Sequence, residues 1–203
     1  MKKTAVVLLA LAVMLFGTAG LADFEPGWDS QQAWDGIWKL RTQMDNFGIP
    51  MEDYFIVSNN IPAARGDGET AGSGVEAELF MKENLDNRAE YMVIRLVKGG
   101  LNYADPLLAD EVVYDIRVTD AAGQQSVVRG VIPSRTHDIL IEAEQDVEAL
   151  KNALMPGGRV DFVLHLDGAP AFQFAIEAAD DFDIAYKEWV KLKGWANMGW
   201  FEP

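Results

Sequence analysis

The chain has 203 residues, 49% of them hydrophobic and 24% charged, an ordinary globular balance with room for one domain and one sizeable core. Its 32 acidic residues against 17 basic ones give a formal net charge of −15 with no offsetting basic patch, which argues against nucleic-acid binding and electrostatic attachment to membranes. The absence of cysteine removes disulfides, thiolate metal sites, a cysteine nucleophile and a lipid-attachment cysteine together.

Lys2 and Lys3 precede an apolar run from Ala5 to Phe16, and small residues follow up to Ala22, the layout of a secretory signal peptide. Gly20 and Ala22 fit the small-residue positions before a cut, so the leader is read as residues 1–22 and the mature chain as a single β-rich domain over 23–203. Cleavage after Ala19 is the alternative. An uncleaved anchor is the other, since Thr4 to Ala22 carries no charge. Every later apolar run is interrupted by charge, so no membrane span is expected after leader removal, and the protein is placed in the periplasm or outside the cell.

Asp29 or Ser30 is read as the cap of a helix with Trp34, Ile37, Trp38 and Met44 mostly on one face, ended by Gly48 and Pro50. Gly36 is unfavourable within it. Asn59 to Gly74, with Pro62 and four glycines, reads as loop. The period then changes to two: Val75, Ala77, Leu79 and Met81 alternate with polar residues except at Phe80, and Met92, Ile94 and Leu96 do the same. Val112 to Thr119 and Val127 to Ile132 form a hairpin about the turn Asp120 to Gly123.

Ile139 to Ile141 is a short strand before a helix carrying Val147, Leu150 and Leu154, stopped by Pro156, Gly157 and Gly158. A second hairpin turns at Asp167 and Gly168, with Val160, Phe162, Leu164 and Leu166 facing inward beside Phe172, Phe174 and Ile176. Asp180 or Asp181 caps a last helix with Phe182, Ala185, Tyr186 and Trp189 on one face, and Gly194 is read as its end. Antiparallel hairpins with few short helices predict a mainly β protein: an antiparallel β-sandwich with peripheral helices near both mature termini and one between strands.

The segment from Ile139 to Trp189 runs strand, helix VEALKNALMPGG, hairpin RVDFVLHLDGAPAFQFAIEA and helix FDIAYKEW. It resembles the C-terminal half of the secreted β-sandwich proteins named after invasion-associated locus B, and the similar type VI secretion-associated periplasmic proteins. The resemblance covers about a quarter of the chain. It implies a β-sandwich in an exported compartment and brings no catalytic residues with it.

Chemistry-bearing candidates are few. His137 and His165 are the only histidines, and with Asp167 they define a rival reading, a metal-dependent hydrolase or small-ligand enzyme. The spacing matches no ligand motif, and the hairpin register turns His165 to solvent. Ser134, His137 and Asp138 lie within one short segment, where a polar turn is the simpler account of them than a triad. Gly66, Gly68 and Ala71 spell a dinucleotide fingerprint without its strand and helix, and Arg65-Gly66-Asp67 is a tripeptide that chance supplies. Asp180, Asp181 and Asp183 lack a calcium loop. No catalytic residue, metal site or cofactor is therefore assigned.

The tryptophans are more informative. Trp28, Trp34 and Trp38 lie towards one end of the mature chain and Trp189, Trp195 and Trp200 at the other. The first and last helices should pack together and bury some of these rings. Trp195, Met198, Trp200 and Phe201, which follow the helical period poorly, are read as a partner surface. The function expected is that of an exported, non-catalytic envelope protein that binds a protein or an envelope component through this apolar, aromatic surface near its C-terminus.

Overall fold

A computed structural model describes residues 36–44, 50–66, 74–84, 86–99, 101–102, 106–109, 111–133 and 136–196. Eleven strands and two α-helices occur among them: β1 Trp38–Met44, β2 Pro50–Ser58, β3 Ile61–Arg65, β4 Val75–Glu83, β5 Glu90–Lys98, β6 Leu101–Asn102, β7 Val113–Thr119, β8 Gln125–Val131, β9 Asp138–Ile141, α1 Glu144–Leu154, β10 Val160–Leu166, β11 Ala169–Ile176 and α2 Phe182–Ala196. Eight strands close on themselves in the order β3, β4, β5, β9, β8, β7, β10, β11 and back to β3, every neighbour antiparallel. The architecture is mainly β as expected, but it is a barrel rather than a two-sheet sandwich.

Side-chain alternation explains the inner face. Val75, Ala77, Leu79 and Met81 of β4, Met92, Ile94 and Leu96 of β5, and Tyr114, Ile116 and Val118 of β7 are all buried. The β10–β11 hairpin holds the expected register from Val160 to Leu164, with Phe162 opposite Phe174 and their rings stacked at 4.8 Å between centroids, and then shifts before the turn, where His165 pairs with Pro170 and Leu166 is only half-buried. Asp167 and Gly168 turn it with φ of 51° and 81°. An eight-stranded barrel has an interior that side chains just fill, and small residues at Ala63, Ala77 and Gly130 offset the large rings of Tyr114, Phe162 and Phe172.

Strands β2 and β3 are two halves of one bent strand along β4. Ile56 pairs with Met81 and Val57 with Phe80, then after a one-residue irregularity Ile61 pairs with Ala77 and Pro62 with Glu76. At the bend, the buried Ser58 hydroxyl accepts the Leu79 N–H at 2.9 Å. The expected loop from Asn59 to Gly74 therefore contains β3. Pro62 is tolerated there, and Gly66 donates its N–H to Ala171 O on β11.

The expected helix ending near Met44 is also corrected. Its described part, Trp38–Met44, is β1, antiparallel to β2. Trp38, Leu40 and Thr42 are buried while Lys39 is exposed and Arg41 half-buried, a period of two that the spacing of Ile37, Trp38 and Met44 obscured. Gly36 sits against Asp181, whose carboxylate would overlap an added Cβ.

The first and last segments do pack together, as a strand against a helix. Trp38 meets Phe182 edge-on at 4.9 Å, and Trp189 donates from Nε1 to Tyr54 O at 2.6 Å. Gly194 does not end α2, which continues to Ala196. Asp180 accepts the Gly158 N–H at 3.0 Å and ties the α1 exit to the approach of α2. No helix among the described residues is long and apolar enough to cross a membrane. The leader, Trp28, Trp34, Met198, Trp200, Phe201 and the side chain of Trp195 lie outside the described residues.

Candidate functional site: a groove at the barrel seam

The barrel is joined unevenly. Strand β8 pairs with β7 from Gln125 to Val131, whereas its partnership with β9 is the single pair Val131 to Leu140. Beside that pair, α1 begins at Glu144 after an Ala143 that offers no side-chain cap, and its Asp146 carboxylate accepts the Arg129 N–H at 3.1 Å. Helix α1 packs against β8 and buries Val147, Leu150, Ala153 and Leu154 in the main core.

Outside, the seam opens into a groove of about 820 Å³. Val127, Val131, Pro133 and Leu140 provide its apolar lining, and Asp115, Glu142 and Asp146 place carboxylates around it. Val127 is 62% exposed and Val131 39%. The apolar character continues across the outer face, where Val57, Phe80 and Val93 form a buried cluster with Phe55, Tyr91 and Leu140 packed against it. There the rings are covered: Lys82 lies 4.9 Å from the Phe55 centroid and Arg95 4.6 Å from that of Phe80. Phe80, the residue that breaks the polar side of β4, belongs to this outer cluster.

The histidines are not brought together. His165 lies on β10 opposite Asp115, whereas His137 precedes β9 with Nδ1 3.4 Å from Leu108 O; β7 and β8 intervene in the sheet. Asp167 occupies a turn, and no group of three potential ligands among the described residues is placed to hold a metal ion. Asp138 accepts both Arg95 Nε at 2.9 Å and Arg95 Nη2 at 2.8 Å, so it anchors a guanidinium rather than orienting His137. That bidentate bond, strengthened by the Asp138 charge, holds Arg95 above the usual guanidinium range despite its burial. Ser134 lies outside the described residues. Of the three acids considered for calcium, Asp180 holds Gly158, Asp183 pairs with Lys187 and Asp181 stands against Gly36.

An ionic cluster that sequence spacing did not signal fixes α2 to the barrel end. Glu83 and Glu90 are paired directly across β4 and β5, an arrangement that repels unless a cation lies between them. Lys193 of α2 supplies it, 3.0 Å from Glu83 and 3.1 Å from Glu90, while Lys151 of α1 approaches Glu90 at 3.1 Å and Tyr186 donates its hydroxyl at 3.2 Å. Burial pushes the Glu90 carboxyl up, but hydrogen bonds and charge from Lys193 and Lys151 outweigh it and leave the group below its ordinary value of 4.5.

A depressed carboxylate stabilises the fold above its unfolded-state pKa, and that contribution fades as pH falls through the folded-state value. Glu90→Gln is expected to cost about 1–2 kcal/mol at neutral pH and to flatten the loss of stability below about pH 4.5. Urea unfolding across pH checks it; parallel acid limbs for the two proteins would show that Glu90 carries none of the pH dependence.

Comparison with protein-family models, with curated proteins and with solved structures finds no match to the chain. What the described residues define is an antiparallel eight-stranded barrel with a filled interior, one helix packed against β8 and another docked on the β1–β2 ribbon.

Proposed function

We propose that this is an exported, non-catalytic protein of the cell envelope that binds a protein or another envelope component through apolar surface on its exterior. The observation that carries the reading is Val127, 62% exposed on a groove whose lining also includes Val131, Pro133 and Leu140. Large apolar side chains gathered in water are a standing cost unless something covers them. The leader-like first 22 residues and the resemblance of the Ile139 to Trp189 segment to exported β-sandwich proteins support the compartment. Trp195, Met198, Trp200 and Phe201 add a second apolar contribution near the C-terminus.

Retention of the purified protein by the envelope fraction of the source cells tests this. Contacts between exposed charges weaken at about 1 M salt, where the Debye length falls to about 3 Å, whereas apolar contacts persist. Retention is therefore expected to survive that salt and to fall at least tenfold in a protein ending at Ala196, a truncation that leaves α2 complete, or carrying Val131→Lys. An unaltered protein that high salt washes free, or variants that are retained as well as the parent, would remove the proposal.

A further inference from the structure

We propose that β8 takes up an extended segment of a partner protein as an added antiparallel strand, and that this segment is rich in β-branched and basic side chains. The inference rests on the binding function above and deepens it by naming the chemistry of what is bound. Its first support is the direction of the β8 backbone. Ile132, just beyond β8, donates to Val112 O at 3.0 Å and accepts from Glu111 at 2.8 Å, so the even-numbered backbone groups of this stretch face β7. The odd-numbered groups face the other way, as the Arg129 bond to Asp146 and the pairing of Val131 with Leu140 confirm. Between Gln125 and Gly130, no strand among the described residues pairs with β8 on that side.

The second support is how this edge is dressed. Proteins protect strand edges with charge, proline or cover. Strand β1, at one end of the sheet order, carries Lys39 and Arg41 between its buried positions. Strand β8 carries Val127 and Val131 in the same outward role, with Arg129 between them, which favours pairing over protection. With the Arg129 N–H already satisfied by Asp146, the added strand centres on the N–H and C=O of Val127 and runs towards Gln125.

Charge selects the occupant. Asp115, Glu142 and Asp146 line the groove against one arginine, in a chain of net charge −15. A second copy would bring the same carboxylates and the same net charge to the contact, whereas a basic segment is attracted by both. Backbone pairing would supply the affinity, and the apolar lining and carboxylates the selection.

The test uses the purified full chain and labelled octapeptides, followed by fluorescence anisotropy. A peptide alternating valine and lysine is expected to bind at least tenfold more tightly than one alternating valine and glutamate. N-methylation of the valine–lysine peptide on the backbone edge that meets β8 should weaken it at least tenfold, and methylation on the opposite edge should not. Val127→Pro removes an N–H that β7 does not use, so the variant is expected to fold and to lose at least tenfold in peptide affinity. Val127→Lys should lose affinity as well, through repulsion.

Equal binding of the parent and edge-methylated peptides would exclude main-chain pairing, and no binding of the valine–lysine peptide would overturn the inference outright. Self-association of the protein that Val127→Pro abolishes would make the occupant a second copy and overturn it too. Envelope retention that persists while peptide binding is absent overturns strand addition alone and leaves the proposed function standing. Loss of retention in the unaltered protein takes that function down.

Discussion

Replacing Trp189 with alanine is expected to lower the free energy of unfolding by about 3–5 kcal/mol, the range for deleting a buried aromatic side chain. Trp189 is fully buried, donates to Tyr54 O at 2.6 Å, and lies 5.9 Å from the Tyr186 ring and 4.1 Å from the Lys193 ammonium. The substitution removes apolar burial, leaves a carbonyl without its donor and uncouples Lys193 from the ring over which it sits. Trp189→Phe keeps most of the burial and should cost about 1–2 kcal/mol, chiefly for the hydrogen bond. Urea denaturation with an unchanged slope separates these from a change in the unfolded state. A loss under about 1 kcal/mol for the alanine variant would mean that α2 contributes little to the fold.

Gly66→Ala is expected to cost about 3 kcal/mol, at the upper end for overpacking, because the obstacle is backbone rather than a movable side chain. A Cβ at this position would lie 2.0 Å from the Pro170 carbonyl oxygen, where β3 closes against β11. The strands would have to separate at the closure. Gly168 supplies the contrast: nothing lies within 4 Å of its Cβ position, and only its φ of +81° resists a side chain. Gly168→Ala should therefore cost about 1 kcal/mol, through local strain alone. Similar costs for the two variants, measured by urea unfolding, would show that the β3–β11 approach is looser than its geometry implies.

Alternation made most of the barrel wall legible. Val75 to Met81, Met92 to Leu96 and the two hairpins at Asp120 and Asp167 announce strands with one buried face, and each lies where its pattern placed it. Closure was not legible, because a strand facing one core looks the same whether that core lies between two sheets or within one rolled sheet. What decides it is pairing between distant segments, β5 with β9 and β11 with β3, together with small residues at Gly66, Ala77 and Gly130 that let strands and side chains approach.

The error at β1 has a local cause. Ile37, Trp38 and Met44 fit a helical spacing while Trp38, Leu40 and Thr42 fit a strand, and the seven residues of β1 are too short for one period to exclude the other. Strand β3 hid behind Pro62 and the glycines that follow it. The groove was half visible: Val127 and Val131 were legible as β-branched residues of a strand, but the opening beside them depends on β8 and β9 meeting at one pair only. The Glu83, Glu90, Lys151 and Lys193 cluster draws on four elements, and nothing in their order along the chain joins them.

The hydrogen bond from Trp189 to Tyr54 spans 135 residues, and the ribbon that receives it comes from the beginning of the described chain. During synthesis, β1 and β2 emerge long before the helix that covers Trp38 and Tyr54, and the β3–β11 closure also waits for a late segment. A nascent polypeptide of this design cannot complete this part of its fold vectorially, since the β1–β2 ribbon has no lasting cover until α2 arrives. Acquisition of the native state is thereby postponed until α2 has been synthesised and can close over the ribbon.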